Sequence, residues 1–123
     1  MKSKVQEIAR LAYECVMQVK DKNFASKYLS YARKLPSMIT HNGLLVTVAF
    51  AKAKKEQAWE TLLEHVESFL RKEGIKKDKK DLIEFLSDCE VQEYRLITKR
   101  VLGFSNWLKR IAEGEIKDEG KGD

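Results

Sequence analysis

The stretch WETLLEHVESFL, residues 59–70, decides the fold that the sequence predicts. Its apolar side chains recur at steps of three and four residues, which is the spacing of one face of an α-helix. They are Trp59, Leu62, Leu63, Val66, Phe69 and Leu70. Gly74 follows shortly afterwards, at a position where glycine commonly ends a helix. The stretch therefore predicts an amphipathic helix whose apolar face must be covered by other helices.

Two helices with the same period are predicted near the N-terminus. Their apolar positions are Val5, Ile8, Ala9, Ala12, Val16 and Val19 in the first, and Phe24, Tyr28, Tyr31, Ala32 and Leu35 in the second. Asn23 precedes the second helix, and its side-chain oxygen is expected to cap that helix. Tyr28 and Tyr31 leave two interpretations open, because they would either pack in the core or stack on nucleic-acid bases.

A third helix is predicted to begin at Pro36. Proline disfavours helical geometry at the residue before it and lacks an amide donor, so it suits the first turn of a helix better than the interior. This helix would continue through Gly43, where the glycine would let a neighbouring helix or subunit approach closely. The β-branched segment VTVAF, residues 46–50, would also suit a strand, but a lone strand has no partner in this chain.

Two further helices are predicted after the charged segment IKKDKKD, residues 75–81, which is expected to form an exposed loop. Asp81 with Glu84, and Ser87 with Glu90, have the spacing of capping boxes, so they mark where the two helices begin. The last helix carries a long apolar stripe, formed by Val91, Tyr94, Ile97, Val101, Phe104, Leu108 and Ile111.

The composition agrees with an all-α protein. The chain has 123 residues, which suits one domain, and it contains only one proline and six glycines. We therefore predict a single-domain six-helix bundle over residues 1–113, followed by a flexible tail over residues 114–123. The longest apolar run, residues 44–51, is far shorter than the ~20 residues that a membrane span needs. With two lone cysteines, Cys15 and Cys89, and no signal-peptide core, the sequence predicts a cytoplasmic protein without membrane contact.

The charges are unevenly distributed along the chain. The formal net charge is +5, but residues 1–55 hold eleven Lys or Arg against three acids, whereas residues 56–123 hold thirteen against sixteen. No Asp or Glu lies between Asp21 and Glu56. A solvated helix surface normally mixes both signs, so a long single-signed stretch indicates a negatively charged partner, such as the phosphates of a nucleic acid.

The candidate binding surface comprises the cations in and around this stretch. They are Lys20, Lys22, Lys27, Arg33, Lys34, His41, Lys52, Lys54 and Lys55. Lys27 and Lys34 are seven residues apart and so share one face of the second helix, while three of the lysines cluster at the end of the third. An ordinary lysine-rich protein surface is the alternative interpretation.

The sequence contains none of the common catalytic or nucleotide-binding motifs. HExxH, GxSxG, GxGxxG and GxxxxGK[ST] are all absent. The only histidines are His41, for which no nucleophile can be named, and His65, which is expected on a solvated helix surface. We therefore predict no catalytic residue, no metal site, no cofactor and no small-molecule substrate.

Two segments resemble one known family. The run ARKLPSMITHNGLLVTVAFAKAK, residues 32–54, combines a basic helix end, Leu-Pro-Ser, Asn-Gly-Leu and an apolar helix that finishes in Lys-x-Lys. The closing segment SDCEVQEYRLITKRVLGFSNWLKRIAEGE, residues 87–115, carries Tyr-Arg early and Trp-Leu-Lys-Arg late. Both resemble the small helical subunit of the type III-B (Cmr) CRISPR RNA-targeting complex, and the resemblance covers nearly the whole chain.

The resemblance implies a non-catalytic subunit of a ribonucleoprotein that acts in antiviral defence. Members of this family lie beside repeated backbone subunits and help to hold target RNA paired with guide RNA, while other subunits cleave. The implied partners are guide and target RNA, the other Cmr subunits and further copies of the chain itself. Leu96 and Trp107, which lie off the main apolar stripe, would then either contact another subunit or complete the core.

Three other functions stay open on the sequence. A helical adaptor that binds only protein would use the lysines as plain solvated surface. A DNA-binding regulator needs Arg, Asn or Gln on a recognition helix, whereas the second and third predicted helices offer mainly lysine and small residues. An enzyme would depend on His41.

Overall fold

The structure is a computed structural model that describes residues 1–118. In this part of the chain it has six α-helices: α1 (Lys4–Val19), α2 (Ala25–Asn42), α3 (Leu44–Lys54), α4 (Gln57–Lys72), α5 (Leu82–Ser87) and α6 (Val91–Glu115). The predicted all-α, six-helix bundle is confirmed. Residues 46–50, which would also have suited a strand, lie within α3.

The apolar stripe of residues 59–70 lies on α4 and forms the middle of the core. α4 packs against α2, α3 and α6, while α6 packs along α1 and α2. The buried members of the stripe are Trp59, Leu62, Val66, Phe69 and Leu70. The ring of Phe69 stacks on that of Phe104 from α6, with centroids 4.6 Å apart. The helices thus cover each other's apolar faces in one continuous core.

Pro36 lies inside α2, so the prediction that it begins a new helix was wrong. A proline within a helix removes one backbone hydrogen bond and crowds the preceding turn. At this position the loss is offset by packing, because Leu35, Pro36 and Ile39 are all buried. The core therefore keeps the chain helical through a residue that, by local preference, would end a helix.

Gly43 forms the boundary between α2 and α3 and is not inside a helix as predicted. Its φ of 86° and ψ of 160° are accessible to glycine and strongly disfavoured for a residue with a Cβ. Its amide donates to the carbonyl of Ile39 at 2.9 Å, which closes α2. A Cβ added at Gly43 would lie 3.5 Å from Tyr94 Oη, a hydroxyl that accepts a hydrogen bond from the Leu45 amide at 3.0 Å. The 3.5 Å distance is an ordinary van der Waals contact, so the positive φ requires a glycine here, and not the close approach of a neighbouring helix that was expected.

Of the three predicted N-caps, two were wrong. The N-cap of α2 is Phe24 rather than Asn23, and it makes no side-chain capping bond. Ser87 ends α5 instead of opening α6, and its hydroxyl donates to the carbonyl of Ile83 at 2.7 Å. The cap at Asp81 is confirmed, since its carboxylate accepts from the Ile83 amide at 2.8 Å.

Lys76 is buried within the loop that was expected to be exposed. The loop begins at Gly74, whose φ of 74° confirms that it ends α4. The Lys76 side chain turns inward and is 1% exposed, with Nζ 3.1 Å from the Glu67 carboxylate and 3.2 Å from that of Asp78. Two carboxylates compensate the buried ammonium, which makes its burial tolerable.

His65 belongs to the core, so the prediction of a solvated surface residue was wrong. It is 4% exposed, and its two ring nitrogens lie 2.7 Å from Tyr28 Oη and 3.0 Å from Gln18 Oε1. Because the amide oxygen of Gln18 only accepts, His65 Nε2 donates to it and Nδ1 accepts from the Tyr28 hydroxyl. Tyr28 is therefore a core residue and is not available to stack on bases.

The C-terminal segment is described in part. α6 continues to Glu115, and the side chain of Ile116 is buried against the bundle. Residues 119–123 of the expected tail lie outside the described residues. The extent of a flexible tail therefore stays a prediction.

Candidate nucleic-acid interface

Three of the nine residues of the candidate surface make ion pairs with acids from distant parts of the chain. Lys20 Nζ lies 3.1 Å from Glu115 Oε1. Arg33 lies 3.3 Å from Glu113 and 2.9 Å from Asp118, which follows α6. Lys52 Nζ lies 2.7 Å from Asp81 Oδ2. The stretch without acids in the sequence is therefore bordered by acids in space.

Two members of these ion pairs, Arg33 and Asp81, have shifted pKa values. The carboxylate of Asp118 raises the pKa of the Arg33 guanidinium above its ordinary value. The hydrogen bond from Lys52 lowers the pKa of Asp81, and the amide of Ile83 acts in the same direction. Arg33 and Lys52 are thus engaged by acids of the protein itself.

A strip of three aromatic rings connects α2, α3 and α4, and we call Tyr31, Trp59 and Phe50 the aromatic strip. Tyr31 stacks on Trp59 with centroids 4.4 Å apart and planes 8° from parallel. Phe50 meets Trp59 at 88°, with centroids 5.9 Å apart. The indole of Trp59 is 2% exposed, whereas Phe50 is 43% exposed. The strip thus runs from the core out to the surface.

Two lysines of the candidate surface lie at the ends of the aromatic strip. Lys34 Nζ is 5.8 Å from the centroid of the Tyr31 ring, and Lys54 Nζ is 4.9 Å from that of Phe50. Both distances are in the range of cation–π attraction. Tertiary packing therefore places two cations that are twenty positions apart in the sequence at the two ends of one aromatic strip.

Lys27 and Lys55 are neighbours of Glu56, which is bonded to Tyr31 of the aromatic strip. Lys27 lines a surface groove together with Glu56, and Lys55 directly precedes it. The Tyr31 hydroxyl donates to the Glu56 carboxylate, which raises the pKa of Tyr31. We call Lys27, Lys34, Lys54 and Lys55 the basic face. None of the four makes an ion pair within residues 1–118.

Lys55 has an unusual backbone conformation. Among the described residues it is the one non-glycine residue with a positive φ, which is 55°. It is the C-cap of α3, and its amide reaches back to the carbonyl of Lys52 at 3.4 Å. The left-handed region costs a residue with a Cβ roughly 1 kcal/mol or more. A glycine would adopt this conformation without that cost, so the lysine side chain strains the backbone at this position.

The two remaining residues of the candidate surface lie near the two ends of α2. Lys22 is exposed in the connection before α2 and makes no ion pair among the described residues. His41 is exposed near the end of α2, in a surface groove that also contains Arg33 and Lys34. His41 therefore shares a groove on α2 with one ion-paired cation, Arg33, and with Lys34 of the basic face.

The surroundings of His41 do not support a catalytic role. Its Nδ1 lies 2.8 Å from the carbonyl of Ser37 and 3.2 Å from the Ser37 hydroxyl. Because Nδ1 donates to the carbonyl, it cannot accept the hydroxyl proton. Across residues 1–118 the structure contains no group of three His, Cys, Asp or Glu side chains suited to hold a metal ion.

Some apolar residues were assigned to the core by the sequence, or left open between core and surface. Phe50 belongs to the apolar segment of residues 46–50, yet it is exposed together with Val46, which is 58% exposed one turn earlier. The sequence did contain a signal for this exposure. Val46, Phe50 and Lys54 follow one another at steps of four residues and so share one helix face, and the lysine indicates that this face is solvated. Of the two residues left open, Trp107 packs against the core and Leu96 is 58% exposed.

The described part of the chain has no helix that is both long and apolar enough to cross a membrane. Cys15 is buried in the core, and burial raises the pKa of its thiol to about 12. Cys89 is half-buried and also free. Cys15 therefore stays protonated and serves as a small core residue.

Comparison with known proteins identifies similar chains over most of the length. The family model described as CRISPR-associated protein (Cas_Cmr5) matches residues 4–115. The CRISPR system Cmr subunit Cmr5 of Thermus thermophilus is 28% identical over 118 residues, which cover 96% of this chain and all of that protein. The subunit of the same name from Thermotoga maritima is 32% identical over 117 residues, covering 92% of this chain and 84% of that protein.

The fold is similar to that of a solved structure. The crystal structure of a CRISPR-associated Cmr5 family protein from Thermus thermophilus superposes with a TM-score of 0.81 and 27% sequence identity. The alignment covers 94% of this chain and the whole of that structure.

Proposed function

The chain belongs to the CRISPR-associated Cas_Cmr5 family, and from this premise we propose that it is a non-catalytic subunit of a Cmr complex that holds guide and target RNA. In this role it contacts RNA phosphates through the basic face and packs against other Cmr subunits and further copies of itself. It would act in the cytoplasm in antiviral defence.

The observation that carries the RNA-binding part is the basic face itself. Lys34 and Lys54 flank the aromatic strip, with Lys27 and Lys55 beside Glu56, and none of these four lysines has an acid partner among the described residues. Lysines are general phosphate ligands and carry little sequence preference, which suits a subunit that must accept any guide sequence. The candidate residues that already pair with an acid of the protein, such as Lys52, would contribute less to RNA binding.

A single copy should bind RNA weakly. Four lysine–phosphate contacts on single-stranded RNA give a log–log salt slope of about −3, since each contact contributes about −0.7. Several copies along one RNA would raise the effective concentration of each binding site, so a complex gains avidity without new contacts. Weak binding per copy is thus compatible with firm retention in an assembly.

The test is a charge-reversal triple variant, K27E/K34E/K54E, measured by fluorescence anisotropy on single-stranded RNA over a salt titration. We expect the salt slope to become about 2 units shallower, because about three of four contacts are lost. The matched control is K72E/R95E/K99E, which makes the same change in net charge outside the basic face and uses cations without an ion pair in residues 1–118. Equal losses in both variants, or none in either, would remove the RNA-binding proposal.

Contacts with other subunits have separate support in the exposed apolar residues of α6. Val91 is 65% exposed and Leu96 is 58% exposed, although both lie on a helix with a well-covered core face. The alternative of a protein-only adaptor would rest on these residues alone. A V91D/L96D variant that still binds RNA but no longer co-purifies with Cmr subunits would assign protein contact to α6 and RNA contact to the basic face. If the wild-type chain co-purifies and never retains RNA, the adaptor is the better description.

A further inference from the structure

Phe50 is the exposed ring of the aromatic strip and lies next to Lys54 of the basic face. We propose that it stacks on an unpaired nucleobase of bound RNA. The inference rests on the proposed RNA-binding function and adds to it a contact that is not electrostatic. It commits to single-stranded RNA as the occupant of this part of the surface.

The exposure of Phe50 is the first observation. Phe50 and Val46 lie one turn apart on the outer side of α3, with 43% and 58% of their surfaces exposed. An isolated exposed phenylalanine is common in proteins and by itself indicates nothing. Its meaning depends on what surrounds it.

The orientation of the ring is the second observation. Phe50 stands at 88° on the indole of Trp59, which is buried and stacked on its other neighbour, Tyr31. Edge-to-face contact with a fixed ring limits the rotation of Phe50. A ring that is already held in place loses little conformational entropy when a flat ligand covers it.

The charges around the ring are the third observation, and they decide the occupant. Lys54 Nζ lies 4.9 Å from the ring centroid, and Lys34 is at the opposite end of the aromatic strip. Neither lysine has an acid partner in residues 1–118. An apolar segment of a protein would leave these ammonium groups uncompensated, whereas single-stranded RNA offers a flat base beside each phosphate.

Phe50 and Lys54 can therefore bind one nucleotide together, with the ring on the base and the ammonium group at the phosphate. The flexible stem of Lys54 lets its ammonium move from the ring to a phosphate, and the face of Phe50 that it leaves is then covered by the adjoining base. A duplex region would not supply such a base, since paired bases are already stacked in the helix. The subsite takes an unpaired nucleotide and shows little preference among the bases, because each base has a π-face.

The test compares F50L, F50Y and V46A with the wild-type chain. Leucine keeps apolar contact with Trp59 but has no π-face, tyrosine keeps the ring, and V46A is the matched control on the same side of α3. Binding is measured to a single-stranded RNA of about 12 nucleotides and to an abasic ribose-phosphate chain of the same length. Circular dichroism and thermal melting verify that each variant is folded.

We expect F50L to weaken RNA binding by about 5- to 150-fold with an unchanged salt slope, the range measured for loss of one stacked base. F50L should bind the abasic chain as the wild type does, and F50Y and V46A should bind RNA nearly normally. Equal loss on both ligands would mean a structural effect and would overturn the proposal, as would no loss on either.

Two further outcomes are distinguishable. If F50L binds RNA normally but no longer co-purifies with Cmr subunits, the ring contacts protein and the stacking proposal is wrong. If the wild-type chain binds neither RNA nor the abasic chain in a salt-dependent manner, the RNA-binding function itself fails, and the stacking contact fails with it.

Discussion

Tyr28 of α2 and His65 of α4 are joined in the core by a hydrogen bond of 2.7 Å between Oη and Nδ1. Their rings meet edge to face, with centroids 5.4 Å apart and planes at 72°. The other ring nitrogen of His65 is bonded to Gln18 of α1. One histidine thus ties three helices together, and it does so only in its neutral form with Nδ1 as acceptor.

The stability of the fold should therefore fall below pH 6.5. Burial lowers the pKa of His65 to about 4 in the folded state, against 6.5 for an exposed histidine. Between these values the unfolded chain binds one more proton than the folded chain, so acidification favours unfolding by about 1.4 kcal/mol per pH unit. Urea denaturation from pH 7 to pH 5 should reveal a loss of about 2 kcal/mol over this range.

The comparison variant for this effect is H65L. It should lose about 1–3 kcal/mol at pH 7, because the buried Tyr28 hydroxyl is left without its acceptor. Its stability should also depend less on pH between 7 and 5 than that of the wild type. Identical pH profiles for the two proteins would mean that His65 does not control acid sensitivity.

A second prediction concerns Gly43. G43A should destabilise the protein by about 1–3 kcal/mol, because the backbone at φ 86° and ψ 160° excludes residues with a Cβ. Gly103 provides the control, since it lies inside α6 and a Cβ there meets nothing within 4 Å. G103A should stabilise the helix by roughly 0.5–1 kcal/mol. Thermal melting of both variants checks the opposite signs, and a neutral G43A would contradict this account of the α2–α3 boundary.

A third prediction separates stability from function at Lys55. K55G should raise the free energy of unfolding by up to about 1 kcal/mol, because glycine accepts φ 55° without strain. The same variant should weaken RNA binding and reduce the salt slope by about 0.7, since one phosphate contact is lost. Denaturation and anisotropy on one preparation test both parts. A K55G protein that is stabilised and binds RNA normally would exclude Lys55 from the basic face.

A fourth prediction concerns the acids that border the candidate surface. In E113Q/E115Q/D118N, Lys20 and Arg33 lose the partners that engage them at 2.9–3.3 Å. These exposed pairs are worth little individually, so the fold should be nearly unaffected. The two released cations should increase RNA affinity and steepen the salt slope by about 1.4.

The control for the fourth prediction is E84Q/E90Q/E93Q, which raises the net charge equally at acids of α5 and the start of α6. It should change RNA affinity only slightly, through the long-range electrostatic field of the protein, and it should leave the salt slope unchanged. If both triple variants have the same slope as the wild type, Lys20 and Arg33 do not reach RNA phosphates even when released.

The helices could be predicted from the sequence because their signals are local. The stripe of residues 59–70, the ending at Gly74 and the cap at Asp81 all depend on residues within one or two turns, and each is confirmed. The family resemblance of residues 32–54 and 87–115 is likewise confirmed, by a match over residues 4–115. Local preference failed at Pro36, where burial against the core outweighs it.

The burial of individual polar residues could not be predicted. His65 and Lys76 have charged neighbours in the sequence, and only the packing of other elements encloses them. His65 is enclosed because Tyr28 and Gln18 supply its two hydrogen bonds. A pattern along one helix cannot indicate such partners, since they come from other helices.

The all-α bundle of six helices, the family and the cationic N-terminal half could all be predicted from the amino-acid sequence, because periodicity, motifs and composition are properties of residues close together in the chain. Which cations pair with an acid within residues 1–118 became clear from the packing of the helices. Lys20, Arg33 and Lys52 are paired with acids 95, 85 and 29 positions away, respectively, and Lys34 and Lys54 lie at opposite ends of one aromatic strip. The physical reason is that charges interact through space, so the sign of a surface depends on which distant segments fold beside it.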